Sequence, residues 1–198
     1  RNLVTSLLIS LGSVVFSLLI ATPAAYAMAH FKFGRWATAI LFGILITQMV
    51  PGIVVANALY SAYTDLGLLN TLGGLILADS AAGIPFSIIL MRAFMGSIPT
   101  SIIEAAYVDG AGHVRAFFSI VLPMSRNALI TSGLFTFLFA WGDFLFARTL
   151  MSNPDGWTIT VGIASFIGEF SVDWAGLMAT GLLSTIPMVV LFVFLEPF

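Results

Sequence analysis

Cysteine is absent from the 198 residues, which excludes a disulfide framework and a thiolate metal site and leaves the redox compartment unreadable. Charge is nearly as scarce. The chain carries 7 basic and 9 acidic residues, against about 50 charged residues in a soluble domain of this length. That deficit excludes an ordinary water-soluble enzyme. A disordered chain is excluded as well, because disorder needs low hydrophobicity and high charge. A net charge of −2 cannot neutralise a run of phosphates, so nucleic-acid binding through a basic surface is excluded. Lysine occurs once, as Lys32, and no G-x4-G-K-[S/T] is present, which excludes ATP binding through a P-loop. The two histidines, His30 and His113, have no metal-spaced partners and no serine nucleophile nearby in sequence. The chain reads as a non-enzyme.

What is abundant is apolar surface, 60% of the residues, and it comes in long runs. Between Arg1 and Lys32 lie 30 uncharged residues, between Arg35 and Asp65 29, between Arg126 and Asp143 16, and between Asp173 and Glu196 22. Crossing the hydrocarbon of a bilayer takes about 20 helical residues. Helices pair their backbone groups internally, as lipid demands, and the runs lack the two-residue alternation of a membrane barrel. The fold class expected is an all-α polytopic membrane protein with five spans: Leu3 to Ala29, Ala37 to Tyr60, Leu75 to Phe94, Asn127 to Ala147 and Ala175 to Leu195. Ala25-Tyr26-Ala27 imitates a signal-peptidase site, but the apolar run before it exceeds an ordinary signal segment and further spans follow. The short basic connection His30 to Trp36 belongs in the cytoplasm. Alternation then puts Arg92, Arg115, Arg126, Glu104 and Asp109 inside, and Arg1, Arg148, Asp65, Asp155, Glu169 and Asp173 outside. With residue 1 outside, the layout expects a further span ahead of the chain, five visible of six. Pro23, Pro51, Pro85 and Pro187 fall within spans and predict kinks.

One cytoplasmic stretch, residues 96–124, is too long for a turn and is patterned like folded structure. Ser101-Ile102-Ile103-Glu104 reads as a capping box at a helix start. Ala105-Ala106-Tyr107-Val108 continues that helix, and Asp109-Gly110 ends it, glycine allowing the left-handed backbone of a helix exit. A second apolar segment, Val114 to Leu122, leads to Pro123 and the next span.

Glu104-Ala105-Ala106, Gly110, Ile120, Leu122 and Pro123 fit E-A-A-x3-G-x9-I-x-L-P without a gap. This pattern resembles the signature loop of binding-protein-dependent ABC importer permeases. Gln48 to Pro51, Leu66 to Thr71, Ile84 to Phe86, Phe94 through Ile98-Pro99, and Asp109 to Ala111 are similar to the sugar-importing branch, the maltose-type second permease subunit. The likeness covers nearly the whole chain. Where that branch carries tryptophan-asparagine-glutamate in its fifth span, this chain has Trp141-Gly142-Asp143, which keeps an acid and loses the amide. The resemblance implies a type I importer transmembrane domain across 1–198, with the loop at 96–124 coupling it to ATPase subunits. It implies Glu104 as the acidic docking contact, Ala105 and Ala106 as small residues allowing close approach, Gly110 as the hinge, and Asp109, Leu122 and Pro123 as parts of the same surface. The implied partners are a homologous second permease, two ATPase subunits that hold ATP and magnesium, an extracytoplasmic sugar-binding protein meeting Arg148 to Trp174, and the lipid bilayer of a bacterial or archaeal inner membrane. No cofactor is expected on this chain itself.

For the solute path, buried acids are the first candidates, because ionisable groups within spans are costly. Asp143 has two readings, a hydrogen-bonding partner for sugar hydroxyls or an interfacial acid beside Arg148. Asp79 reads as interfacial. Phe137, Trp141 and Phe144, at i, i+4 and i+7, share a helical face that suits either a sugar ring or packing. Gln48, Asn57 and Asn127 are further polar groups a solute could meet. Paired acids near broken helices would instead mark a carrier driven by an ion gradient, and Asp79 with Asp143 keeps that rival open. A non-sugar solute of an importer is the other alternative.

Overall fold

A computed structural model describes residues 1–31, 33–168 and 171–195. Among these, the helices Asn2–His30 (α1), Leu72–Gly96 (α4) and Trp174–Leu195 (α11) are each long and apolar enough to cross a membrane. At 1.5 Å per residue α1 is about 43 Å long, comfortably more than the ~30 Å of hydrocarbon. α4 lies alongside α1 and parallel to it, as contacts from Ser13 to Ile76, Ser17 to Ser80 and Thr22 to Met91 show. Arg126–Gly142 (α8) runs back antiparallel against both, with Thr136 beside Ser87.

The middle of this three-helix core, around Ser17, Gly83 and Thr136, is lined by small side chains, while Ile9, Leu75, Met91, Met95 and Phe137 are buried elsewhere on the same helices. Ser6, Ser10, Ser13 and Ser17 of α1 are all buried, as are Ser80 and Ser87 of α4 and Ser132 and Thr136 of α8. In a bilayer, burying a leucine between helices gains little over leaving it in lipid, so close approach of small residues is what binds helices together. The serines of α1 also donate to the backbone of α4: Ser17 Oγ to Ser80 O at 3.3 Å and Ser13 Oγ to Ile76 O at 3.4 Å, while Ser80 Oγ donates to Ile76 O of its own helix.

Two expected spans take a different form. The segment expected to run from Ala37 to Tyr60 is divided into Arg35–Thr47 (α2) and Gly52–Leu66 (α3), which meet at 88°. The break falls at Pro51, whose missing N–H and extended backbone (φ −57°, ψ 130°) make it the first stop of a new helix. Pro23, Pro85 and Pro187, by contrast, lie inside continuous helices. The segment expected over Asn127 to Ala147 stops at Gly142, where Asp143 turns extended (ψ 128°), and a short helix, Leu145–Leu150 (α9), follows.

The two ends of the bundle are tied by different contacts. At one end Arg1 pairs with Asp155. There Asn70, at a left-handed φ of 60°, joins two connections: its Oδ1 accepts from Ser152 Oγ at 3.0 Å and from Asn153 N at 2.9 Å, and its own N–H reaches Leu150 O. At the other end Tyr26 and Phe31 meet His113. Asn70→Gly keeps the backbone free to adopt φ 60° but removes the two bonds to the Ser152 loop. It is expected to lower stability by about 1–2 kcal/mol, measured as a lowered unfolding midpoint of the detergent-solubilised protein. Asn70→Ala, which adds backbone strain, is expected to fall further.

Candidate functional site

The stretch between α4 and α8 is folded, as its patterning predicts. Thr100–Val108 (α5) is followed by a turn and then by a helical run made of His113–Ala116 (α6), a π turn at Phe117–Val121 and Leu122–Met124 (α7). α5 starts two residues earlier than the capping box requires. Pro99 occupies the cap with no side-chain bond, so Ser101 lies within the first turn and Glu104 in mid-helix. Proline pre-sets the turn into a helix, and Glu104 is thereby freed from capping and stands exposed.

The two faces of α5 are distinct. Ile103 and Ala106 are buried, Ile103 in a cluster with Ala25, Tyr26, Met91 and Met95. Glu104, Ala105, Val108 and Asp109 are exposed, Val108 at 87%. Of the two alanines in the motif only Ala105 therefore lies on the outer face; Ala106 packs α5 against its own bundle. Gly110, at φ +83°, ends the helix. Its N–H bonds Tyr107 O at 3.1 Å while Ala111 N bonds Ala106 O at 2.9 Å, the paired bonds of a left-handed helix exit. Downstream, Leu122 N reaches back to Phe117 O, a widened turn immediately before Pro123. A proline ring clashes with the carbonyl four residues earlier, and the π turn relieves that crowding. Leu122 is half-buried and Pro123 exposed.

The side chains proposed for a solute path do not form one surface. Phe137 and Trp141 stack with ring centres 5.5 Å apart and are 1% and 4% exposed, in a cluster with Ile159. Phe144 is not on their face, because α8 ends at Gly142, and its ring is exposed. Asp143 caps α9: Oδ1 accepts from Phe146 N at 3.2 Å and Oδ2 from Ala147 N at 2.8 Å. Its backbone carbonyl accepts the Thr160 hydroxyl. Asp79 lies in the second turn of α4. It is 4% exposed within the bundle, and its Oδ2 has no hydrogen-bond partner among the described residues. Gln48, at the α2–α3 break, is exposed and donates to Ala82 O at 3.5 Å; Asn57 and Asn127 are exposed on α3 and α8. Sequence reasoning missed the contact of Tyr107 with His113, which needed the turn at Gly110 to bring them together, and it missed the buried serine core, whose only signal was the spacing of Ser6, Ser10, Ser13 and Ser17.

Comparison with known proteins gives the following. Residues 14–196 match the family described as "Binding-protein-dependent transport system inner membrane component". The chain is 37% identical over 193 residues to the maltodextrin transport system permease protein MdxG of Bacillus subtilis, covering 96% of this chain and 69% of the relative. It is 31% identical over 191 residues to the diacetylchitobiose uptake system permease protein DasC of Streptomyces coelicolor, with coverages of 96% and 69%. It is 36% identical over 190 residues to the osmoprotective compounds uptake permease protein GgtD of Synechocystis, with coverages of 94% and 63%. The chain thus spans about two thirds of the length of these relatives. A chain in the inward-facing MetNI methionine ABC transporter superimposes with a TM-score of 0.77 at 17% identity, over 100% of this chain and 92% of that one.

Proposed function

From the premise that this chain belongs to the family of binding-protein-dependent transport system inner membrane components, and is a multi-pass membrane protein with the transmembrane fold of a type I ABC importer, we propose that it is the permease subunit forming half of a sugar pathway. In this reading the chain is one transmembrane domain, binds no cofactor and catalyses nothing itself. Two ATPase subunits carry ATP and magnesium, a homologous permease completes the pathway, and an extracytoplasmic binding protein delivers the solute across an inner membrane. The observation that carries it is the exposed outer face of α5, where Glu104, Ala105, Val108 and Asp109 project from the bundle between two core helices. A carboxylate there can form a charge-assisted bond to a basic partner, and the bare alanine lets another backbone come close. ATP-driven closure of the partners would press on this face and on the Gly110 turn. Contacts that differ between inward-open and outward-open states would supply the energy.

Sugar as the solute is supported by the names of the relatives, two of which specify a maltodextrin and diacetylchitobiose, and by the paucity of basic groups in the spans, which disfavours an anion. Since Phe137 and Trp141 are packed inside and Asp143 is engaged in capping, the groups left to meet a solute are Gln48, Asn57 and Phe144. The test is ATP-dependent uptake of a panel of sugars by the reconstituted full complex. Glu104→Ala is expected to lower uptake about tenfold, the loss of one charge-assisted bond, with the binding protein's sugar affinity unchanged. Uptake driven by a proton gradient without ATP would overturn the importer reading in favour of a carrier.

A further inference from the structure

Besides the burial of Ile103 and Ala106, the last turn of the proposed docking helix is tied to the transmembrane core by a group of aromatic side chains. Tyr107, on the last turn of α5, places its hydroxyl 2.7 Å from His113 Nδ1 across the Gly110 turn, and the two rings meet edge to face at 5.0 Å. His113 in turn meets the ring of Phe31 edge to face at 5.4 Å, and its carbonyl accepts the hydroxyl of Tyr26 at 3.5 Å. Tyr26 is 6% exposed near the end of α1 and packs on Phe117 at 4.9 Å. α5 thus reaches the end of α1 by two routes: directly, where Tyr107 meets Tyr26 and Ile103 shares its cluster, and across the turn through His113. α1 is the helix whose buried serines bind α4 and α8 at the centre of the bundle.

The turn itself is poorly suited to transmit a push. Its bend rests on a glycine, and no neighbouring atom lies within 4 Å of where a Gly110 side chain would begin. Ile103 and Ala106 seat the buried face of α5 on the bundle; without a further tie, displacement of the last turn of α5 relative to α6 would be absorbed by rotation about that glycine. We propose that Tyr107 and His113 form a clamp that closes the Gly110 turn and passes displacement of α5 to α1 through Tyr26 and Phe31, so that these are positioning residues for energy coupling. The clamp rests on the docking reading of α5, and it names residues outside the E-A-A motif. Both members act through contacts that a single-atom change can remove. Tyr107→Phe deletes the hydroxyl and keeps the ring, and His113→Asn offers an acceptor near the place of Nδ1 where His113→Ala offers none.

The test measures solute moved per ATP hydrolysed in the reconstituted complex, alongside co-purification of the ATPase subunits. Tyr107→Phe is expected to lower that ratio about threefold and His113→Ala about tenfold, since the alanine also removes the ring contacts. ATPase association should be unchanged, and His113→Asn, which restores an acceptor but not the ring contacts, should bring the loss back to about that of Tyr107→Phe. An unchanged ratio in both Tyr107→Phe and His113→Ala would overturn the clamp. So would loss of ATPase association, which would mean that these residues only shape the docking face. Glu104→Ala in the same preparations separates the two ideas: a normal ratio there beside a reduced one in Tyr107→Phe would overturn docking through Glu104 and leave the clamp standing. The reverse pair of results would overturn the clamp and leave docking standing.

Discussion

Gly83→Val is expected to destabilise the protein by about 3 kcal/mol and to reduce sharply the amount that accumulates in membranes. Gly83 is where α4 meets both α1 and α8. A side-chain carbon added there would lie 2.8 Å from Thr136 Cγ2 and 3.1 Å from Thr136 Oγ1 on α8, and 3.2 Å from Ser17 Oγ on α1. Neither neighbour can move away freely. Thr136 is 1% exposed and bonded to Ser132 O at 3.0 Å and to Ser87 Oγ at 3.4 Å, and Ser17 is fully buried and bonded to Ser80 O. Inserting methyl groups into a tight core costs about 1–3 kcal/mol, and separating the helices would also break these side-chain bonds at about 1 kcal/mol each. Gly73→Ala, on the same helix but with open space around it, serves as the control and is expected to change little. The measurement is the unfolding midpoint of the purified protein in detergent. Equal midpoints for the two variants would remove Gly83 from the structural account.

The second large effect is expected at Gly110. A side-chain carbon added at Gly110 has no atom of this chain within 4 Å, so within the subunit the loss is expected to come from the backbone. At φ +83° a β-branched side chain is strained by up to about 3 kcal/mol. Gly110→Val therefore either strains the turn or swings α6 away from its direction relative to α5. Uptake by the reconstituted complex is expected to fall by up to about a hundredfold, with protein levels near normal because the turn is exposed. Gly110→Asn is the discriminating variant, since asparagine enters the left-handed region several-fold more readily than other residues; it should retain much more activity than valine. Equal loss in the two would mean that the side chain obstructs a partner rather than bending the chain.

Charge placement made the topology legible, because in a membrane charge marks the ends of helices. The exposed loop could be read because its motif is local and its glycine has one conformational purpose. Three features escaped for physical reasons. The break at Pro51 could not be told from the continuous helices through Pro23, Pro85 and Pro187, since proline permits either outcome and the surrounding packing decides. The helical face drawn through Phe137, Trp141 and Phe144 assumed that the helix outlasts Gly142, whereas Asp143 caps a new helix with its own carboxylate. Ala106 was assigned outward with Ala105, but successive residues of a helix point about 100° apart, and Ile103 beside the core takes Ala106 inward with it.

The right-angled break between α2 and α3 constrains how the chain can be solvated. Its Gln48 side chain reaches Ala82, near the middle of α4, so the break lies at mid-depth of the bundle. Ending one helix and starting another leaves up to four carbonyls and four N–H groups without intrahelical partners. Hydrocarbon supplies none, and irregular backbone at that depth survives only beside water or other protein. The residues around it, Thr47 to Val54, are exposed in the single chain. That flank cannot face lipid. It divides the circumference of the subunit into a dry side and a wet or covered side, and in any assembly in a bilayer Met49 and Val50 must fall on the second.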